Sequence, residues 1–190
     1  MFAKLLGGIW PIRKKYHQTH NKLLRAFYSL IYHAALQSKS SWISLDATFL
    51  GEPCLPHGEY GIFISGAAVV GKNCVIFQQV SIGSNTLSDS GGAGAPNIGD
   101  NCYIGAGAKI VGDVRIGDNV RIGANAFVYQ DISDNSVITC GTPRIIRMRR
   151  PLINRFYHKY QGEWRYFNDG HWNKVKDQKE LARLARRFGN

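Results

Sequence analysis

Aliphatic residues recur at intervals of six through the middle of the chain, and this period constrains the fold more than any other feature. The repeated positions, with one interruption, are Ile64, Val70, Ile76, Ile82, Ile98, Ile104, Ile110, Ile116, Ile122 and Val128. A small or aliphatic residue follows most of them by four: Ala68, Cys74, Val80, Cys102, Ala108, Val114, Val120 and Ala126. Such a period matches neither an amphipathic helix nor the alternation of a single strand. It predicts a coil with three flat sides, in which each hexad gives one short strand and one corner.

The corners of this coil are predicted from the glycines and asparagines that follow the aliphatic positions. Gly and Asn adopt the positive φ angles of tight turns more readily than other residues. Three hexads then make one turn, and successive turns stack at the strand spacing of roughly 4.8 Å. We therefore expect a mainly β, parallel solenoid whose turns cover one another. Cys74 and Cys102 occupy the small inward position, which favours a packing role.

The repeat is interrupted at residues 83–97, "GSNTLSDSGGAGAPN", which lack inward aliphatic residues at this period. We expect an extruded loop there. Ile82 follows Ile64 by three hexads, so the loop should leave the side of the prism that the chain enters after residue 57. Long loops on rigid scaffolds are often functional.

Charge divides the chain into three parts. Residues 1–42 hold seven Lys/Arg and no Asp/Glu, residues 43–142 four against nine, and residues 143–190 thirteen against four. Basic ends attract anionic polymers, anionic lipid or nucleic acid, or only keep the protein in solution. We expect a basic helical segment at 1–42, a solenoid domain at 43–147 and a basic, aromatic extension at 148–190.

Both ends carry their own signals for secondary structure. Residues 18–38 have the spacing of one amphipathic helix, which would pack on the solenoid or a neighbouring subunit, or lie on a membrane surface. Asn168-Asp169-Gly170 lies between two aromatic runs and predicts a hairpin. Asp177 would then cap a short closing helix.

The four cysteines form no CxxC pair, and "MFAKLLGGIW" does not have the pattern of a secretory signal. We therefore expect free, buried thiols and a reducing cytoplasm.

His57 is the one histidine between residues 34 and 157. It lies in "CLPHGEYGIF", directly before the repeats begin. An imidazole that is largely neutral at cellular pH suits general-base chemistry. An ordinary loop histidine is the alternative.

Several segments resemble the hexapeptide-repeat acyltransferases, and within them the serine acetyltransferase branch. The similar segments are "LPHGEYGIFIS", "NCVIFQQVSIGS", "IGDNCYIGAGAKIVGDVRIGDNVRIGANAFV" and "CGTPRII". The resemblance covers about residues 43–147 and implies a left-handed parallel β-helix, a homotrimer with active sites between subunits, acetyl-CoA as co-substrate and no metal. Close relatives in that branch include O-acetyltransferases that modify capsule and other bacterial surface sugars.

The resemblance implies roles for particular residues. His57 matches the general base. The corners that contact acetyl-CoA correspond to Ala106 and Ala124, and the segment near its adenine end to Gly141, Thr142 and Pro143. Arg144 and Arg147 follow as candidates for the CoA phosphates, since Arg pairs well with phosphate.

The sequence also departs from serine acetyltransferases. Their extruded loop has a "GGDRHP"-like stretch whose histidine helps to hold the amino acid, and this chain has "GGAGAP", with Ala95 at that position. Pro56 replaces an aspartate before the base. No residue clearly matches the aspartate that orients the base; Asp46 and Glu59 are only nearby.

These departures make a saccharide hydroxyl the expected acceptor, in the biosynthesis of capsule or another surface polysaccharide. The candidate acceptor-binding residues are Glu59, Gln78, Gln79, Asn85 and Asp89. L-Serine is the alternative acceptor, and a basic-ended scaffold or nucleic-acid-binding trimer is the alternative without catalysis. A zinc lyase on the same fold would need several histidines on the coil. We expect no specific nucleic acid and a cytoplasmic protein, with contact to an anionic polymer or the inner membrane face through the basic ends.

Overall fold

The computed structural model describes residues 7–87, 89–141, 145–149 and 151–188. Its helices are α1 (Ile9–Gln18), α2 (Lys22–Gln37) and α3 (Gln178–Phe188). The strands of the coil are β1 (Trp42–Ile43), β2 (Thr48–Phe49), β3 (Phe63–Ile64), β4 (Val69–Val70), β5 (Val75–Ile76), β6 (Ser81–Gly83), β7 (Asn97–Ile98), β8 (Tyr103–Ile104), β9 (Lys109–Val111), β10 (Arg115–Ile116), β11 (Arg121–Ile122), β12 (Phe127–Val128), β13 (Ser136–Ile138) and β14 (Ile145–Arg147). A further sheet contains β15 (Tyr157–Tyr160), β16 (Glu163–Asn168) and β17 (His171–Lys174).

The coil is a three-sided prism of parallel sheets, as the hexads predict. Sheet A has the order β1-β3-β6-β9-β12, sheet B β2-β4-β7-β10, and sheet C β5-β8-β11-β13 with β14 added antiparallel. Ile64 pairs with Ile82, and Ile82 with Ile110, so the register continues across the interruption. We call the turns from sheet B to sheet C the BC edge and those from sheet C to sheet A the CA edge.

The interior of the prism is the predicted stack of aliphatic side chains. Every one of the ten repeated aliphatic positions is buried. Full burial of each such side chain stabilises the fold by about 1.5–3 kcal/mol. The thiols of Cys74 and Cys102 are also buried and donate to the carbonyls of Gly99 and Gly117. The expectation of buried thiols is wrong for Cys140, which is exposed.

The helix predicted over 18–38 is α2, and the sequence did not predict α1, which precedes it. Asn21 caps α2, because its Oδ1 accepts from the N–H groups of Leu23 and Leu24. Both helices pack on the first turn of the coil, with Tyr32 and Leu36 fully buried. Arg13 donates to the carbonyl of Leu45 at 3.0 Å, which helps to close this end of the prism.

The C-terminal extension, residues 148–190, has the predicted hairpin and closing helix, and also β15, which the sequence did not predict. Asp169 and Gly170 have φ of 50° and 78° at the hairpin turn, and Asp177 caps α3. The extension packs against the outside of sheet C. Arg121 donates to Asn154 Oδ1 at 2.8 Å, and Asn73 Oδ1 accepts from the N–H of Asp169 at 2.5 Å.

The loop at residues 83–97, called the excursion below, leaves sheet A after β6 and returns to sheet B at β7. Asn85 and Gly94 exchange two backbone hydrogen bonds of 2.8 and 2.9 Å across its base. Gly92 O then accepts from the N–H of Asp113, which ties the loop to the next turn. In the described part of the chain, no helix has the length and apolar character needed to cross a membrane.

Candidate active site

The CA edge brings together residues that the sequence analysis singled out separately. Gln78, Ala106, Ala124 and Cys140 take the same place in successive turns. The N–H of Gly107 donates to Gln78 O at 3.0 Å, and that of Asn125 to Ala106 O at 2.8 Å. The two alanines matched to acetyl-CoA therefore lie one above the other on one edge of the prism.

Small residues leave the backbone of this edge open. A Cβ on Gly105 would come within 2.7 Å of Ala124 N, and Gly107 has φ of +72°, so side chains are disfavoured at both positions. Among the described residues, the N–H groups of Ala106 and Ala124 make no backbone hydrogen bond. Such groups can donate to a bound ligand or to a developing negative charge.

His57 lies at the head of this edge, one turn before Gln78. The N–H of Gln79 donates to Tyr60 O at 2.9 Å, which joins the two turns. His57 Nδ1 lies 2.7 Å from Gln78 Oε1, and the ring of Phe77 meets the imidazole edge-on at 5.4 Å between centroids. An amide oxygen only accepts, so in this arrangement Nδ1 carries the proton and Nε2 is free to take one. The imidazole is exposed, so a substrate can reach it.

Gln78, predicted to bind the acceptor, instead makes the hydrogen bond that orients the His57 ring, for which the sequence offered no clear candidate. Of the two acidic residues noted nearby, Glu59 instead forms an ion pair with Lys39. That ion pair holds the Glu59 carboxylate and gives it a structural contact. Gln79 has φ of 63°, and its carbonyl accepts from Lys109 Nζ at 2.7 Å.

In the described part of the chain, the excursion residues Asn85 and Asp89, predicted to bind the acceptor, make no hydrogen bond to His57. Asn85 accepts from the N–H of Leu87 at 3.0 Å and donates to Ser90 Oγ at 2.8 Å. Its side chain therefore shapes the loop. Asp89 is exposed on the same loop.

The segment matched to the adenine end of CoA is described in part. Gly141 is exposed with φ of +107°, one residue past Cys140 at the end of the CA edge. Thr142, Pro143 and Arg144 lie outside the described residues. Arg147 is not brought to the CA edge, because β14 runs back along β13 and its guanidinium donates to Ser133 Oγ at 3.2 Å, at the BC edge.

Two features near His57 were missed in the sequence. Lys109 pairs with Ser81 across sheet A and donates to its Oγ at 3.1 Å, which puts a cation beside the CA edge. Counting hexads across the interruption would have found it. The second feature is a row of aromatic rings from the extension, with Phe156 lying 6.1 Å from Phe77 and 5.9 Å from Trp172. The sequence carries no signal for that docking.

No cluster of three or more His, Cys, Asp or Glu side chains that could hold a metal occurs in the described residues. Cys54 is buried, and burial raises the pKa of its thiol to about 12. A thiol that stays protonated is a poor nucleophile. The described groups of this site that can take a proton or donate to a developing negative charge are the His57 imidazole and the backbone N–H groups of Ala106 and Ala124.

Comparisons with known proteins agree with this geometry. The family model described as bacterial transferase hexapeptide (six repeats) matches residues 95–130. Serine acetyltransferase 5 of Arabidopsis thaliana is 36% identical over 69 residues, which is 36% of this chain and 22% of that protein. The serine acetyltransferase of Synechococcus elongatus is 36% identical over 61 residues, or 32% and 24% of the two chains.

Solved structures extend the similarity to most of the prism. Neisseria gonorrhoeae serine acetyltransferase in complex with serine gives a TM-score of 0.60 at 25% identity, over 73% of this chain and 55% of that one. Entamoeba histolytica serine acetyltransferase 1 in complex with L-cysteine gives 0.57 at 27%, over 69% and 50%. The matched region spans less than a quarter of the Arabidopsis thaliana and Synechococcus elongatus serine acetyltransferases.

The fold is thus the left-handed parallel β-helix of the hexapeptide-repeat acyltransferases. Within that class, the predicted resemblance to the serine acetyltransferase branch is confirmed.

Proposed function

We propose that this protein is an acetyl-CoA-dependent O-acetyltransferase in which His57 is the general base. The observation that carries the proposal is the contact between His57 Nδ1 and Gln78 Oε1 at the head of an open, alanine-lined edge. This contact leaves Nε2 free to accept a proton. The similarity to serine acetyltransferases supports acetyl transfer as the reaction.

In the proposed reaction, Nε2 of His57 takes the proton of an acceptor hydroxyl as its oxygen attacks the thioester carbonyl. The negative charge that develops on the carbonyl oxygen is stabilised by backbone N–H groups. The tetrahedral intermediate then expels the CoA thiolate, which takes the proton from the imidazolium. Gln78 keeps the ring in the productive tautomer throughout. No covalent enzyme intermediate is needed.

Acetyl-CoA would lie along the CA edge, with its backbone contacts at Ala106, Ala124 and Gly141. Thr142, Pro143 and Arg144 stay candidates for its adenine and phosphate end on the resemblance alone. The same resemblance supports a homotrimer in which the groove between two subunits completes the site. Arg147, bonded to Ser133, is the weakest of these candidates.

L-Serine is the acceptor that the comparisons favour over the saccharide predicted from the sequence. The curated relatives and the solved structures cited above are all named as serine acetyltransferases. Lys109 supplies a cation on this edge that can pair with an amino-acid carboxylate. The comparisons give no support to capsule or polysaccharide modification.

One observation keeps a neutral saccharide as the second candidate. The described residues of the excursion, 83–87 and 89–97, contain no Lys, Arg or His. An amino acid carries both a carboxylate and an ammonium group, and each needs an opposite charge when buried. A sugar hydroxyl needs only hydrogen-bond partners, which such a loop can supply.

The test is acetyl-CoA-dependent thiol release with the wild type, His57→Ala and, as a matched control, His20→Ala. Each enzyme is assayed with L-serine and with a panel of mono- and polysaccharides. We expect His57→Ala to lose about two orders of magnitude or more in turnover, while its binding of acetyl-CoA survives. His20→Ala should behave as the wild type. Wild-type turnover by His57→Ala would overturn the assignment, and the acceptor that the wild type uses decides between serine and saccharide.

For location, we propose the cytoplasm, at the inner face of the membrane. The four cysteines form no disulfide in the structure, as is usual for proteins of a reducing compartment. Fractionation of cells that express the full chain tests this, and recovery with secreted proteins would contradict it.

A further inference from the structure

The outer face of α2 is apolar although it faces away from the prism. Leu23 is 83% exposed, Phe27 52% and Leu30 70%. Their spacing of four and three residues places them on one face of the helix. Tyr32 and Leu36, which are fully buried against the coil, lie on the opposite face. The helix is therefore apolar on two sides, and only one side is covered.

An apolar outer face is unusual for an element in this position. The helices α1 and α2 close the first turn of the solenoid, and caps of repeat proteins normally turn a polar face outward. Scattered apolar residues on a surface need no explanation, but a contiguous patch indicates contact with another surface. Leu24, 47% exposed, lies beside Leu23 and widens the patch.

The charges near this face indicate what kind of surface it contacts. Lys14 and Lys15 of α1 and Lys22 at the start of α2 are exposed. Arg25 lies over the ring of Tyr16 in α1, 4.7 Å from its centroid. No acidic residue precedes Asp46 in the chain. A second copy of this face would bring the same cations opposite one another, whereas an anionic surface would attract them.

We propose that the outer face of α2 lies on an anionic lipid surface, with Leu23, Phe27 and Leu30 entering the headgroup boundary and the flanking cations contacting lipid phosphates. A helix of sixteen residues, about 24 Å long, lies flat in such an interface. The end of the solenoid that α1 and α2 close then faces the membrane. This proposal concerns where the protein is held and is independent of the acceptor.

The test is co-sedimentation of the full chain with vesicles of phosphatidylcholine alone and with vesicles that also contain phosphatidylglycerol. We expect binding to the second kind, weakened by added salt because part of the attraction is electrostatic. The double variant Phe27→Ser/Leu30→Ser should lower vesicle binding by about tenfold or more, since two apolar anchors are lost. Lys14→Gln/Lys22→Gln should weaken binding to the anionic vesicles.

The matched control is Leu50→Ser/Leu87→Ser, which removes two side chains of similar exposure, 57% and 64%, outside α2. It should bind as the wild type does. Circular dichroism and light scattering on every variant report folding and oligomeric state. Absence of wild-type binding to the anionic vesicles would overturn the proposal. So would a Phe27→Ser/Leu30→Ser variant that keeps its vesicle binding but changes its oligomeric state, because the face would then contact another copy of the chain.

Discussion

The BC and CA edges of the prism are built from turns of the same geometry but from different side chains. At the BC edge three successive turns carry an aspartate whose Oδ1 accepts a backbone N–H from the turn before it. These bonds run from Lys72 to Asp100, from Asp100 to Asp118 and from Asp118 to Asp134, at 2.7, 2.7 and 2.9 Å. At the CA edge, alanine takes the equivalent place at 106 and 124, so that no such ladder forms.

The two edges differ in whether the backbone N–H groups of their turns are hydrogen-bonded by side chains of the protein. The aspartates of the BC edge accept backbone N–H groups of that edge from within the protein. The alanines leave backbone donors free at the CA edge. One edge is therefore closed by its own side chains, and the other keeps free backbone donors, as the proposed acetyl-CoA site requires.

The largest effect is expected from filling the open edge. In Ala124→Trp, a large side chain at an exposed position would block the strip that we assign to acetyl-CoA. We expect affinity for acetyl-CoA to fall by about 100-fold, equivalent to about 2.7 kcal/mol, when measured by calorimetric titration. Lys72→Trp is the matched control at the same place of a BC turn and should bind normally. Equal affinity in both variants would mean that the cofactor lies elsewhere.

A smaller effect, of the opposite kind, is expected from opening the closed edge. Asp118→Ala removes the acceptor of the Asp100 N–H and should cost about 1 kcal/mol of stability, seen as a lower melting temperature. Asp118→Asn keeps an oxygen acceptor and should lose less. Affinity for acetyl-CoA should not change in either variant. A loss of affinity at unchanged stability would contradict the division between the two edges.

The smallest effect is a difference in thiol reactivity between the edges. Cys74 and Cys102 are buried behind the BC edge, whereas Cys140 is exposed in the alanine column of the CA edge. With the pKa of Cys54 raised to about 12, that thiol stays protonated at pH 8 and should react slowly. With a thiol-reactive label, we expect the mass of the native protein to increase by one label and that of the denatured protein by four labels.

Acetyl-CoA should slow the labelling of Cys140 if it lies along the CA edge. Cys140→Ser should abolish the native reaction and serves as the control. Labelling of Cys140 at the same rate with saturating acetyl-CoA would remove that part of the edge from the binding site.

The prism was predictable because its physical causes are local and repeated. Each hexad carries its own inward residue and its own corner, and Asn73, Asn101 and Asn119 do have φ between 54° and 57°. A hexad that departs from the pattern can still be placed, because the hexads before and after it keep the period of six. The hairpin turn at Asp169-Gly170 was predictable for the same local reason.

Features that depend on contacts between distant segments were not predictable. His57 and Gln78 are 21 residues apart and meet only because of the register between two turns. The docking of Phe156 onto Phe77 joins segments with no shared pattern. Arg147 follows the cofactor segment in sequence, but the antiparallel return of β14 carries it to Ser133.

The unbroken register across the excursion has an evolutionary consequence. Ile82 pairs with Ile110 in the regular register of the coil although the excursion lies between them, so the length of the loop does not change the strand register. The entropic cost of loop closure grows slowly, by about 0.6 kcal/mol for each doubling of length. Insertions and deletions there are therefore nearly neutral for folding. A lineage can exchange the loop while the coil that carries His57 and the CA edge is inherited unchanged.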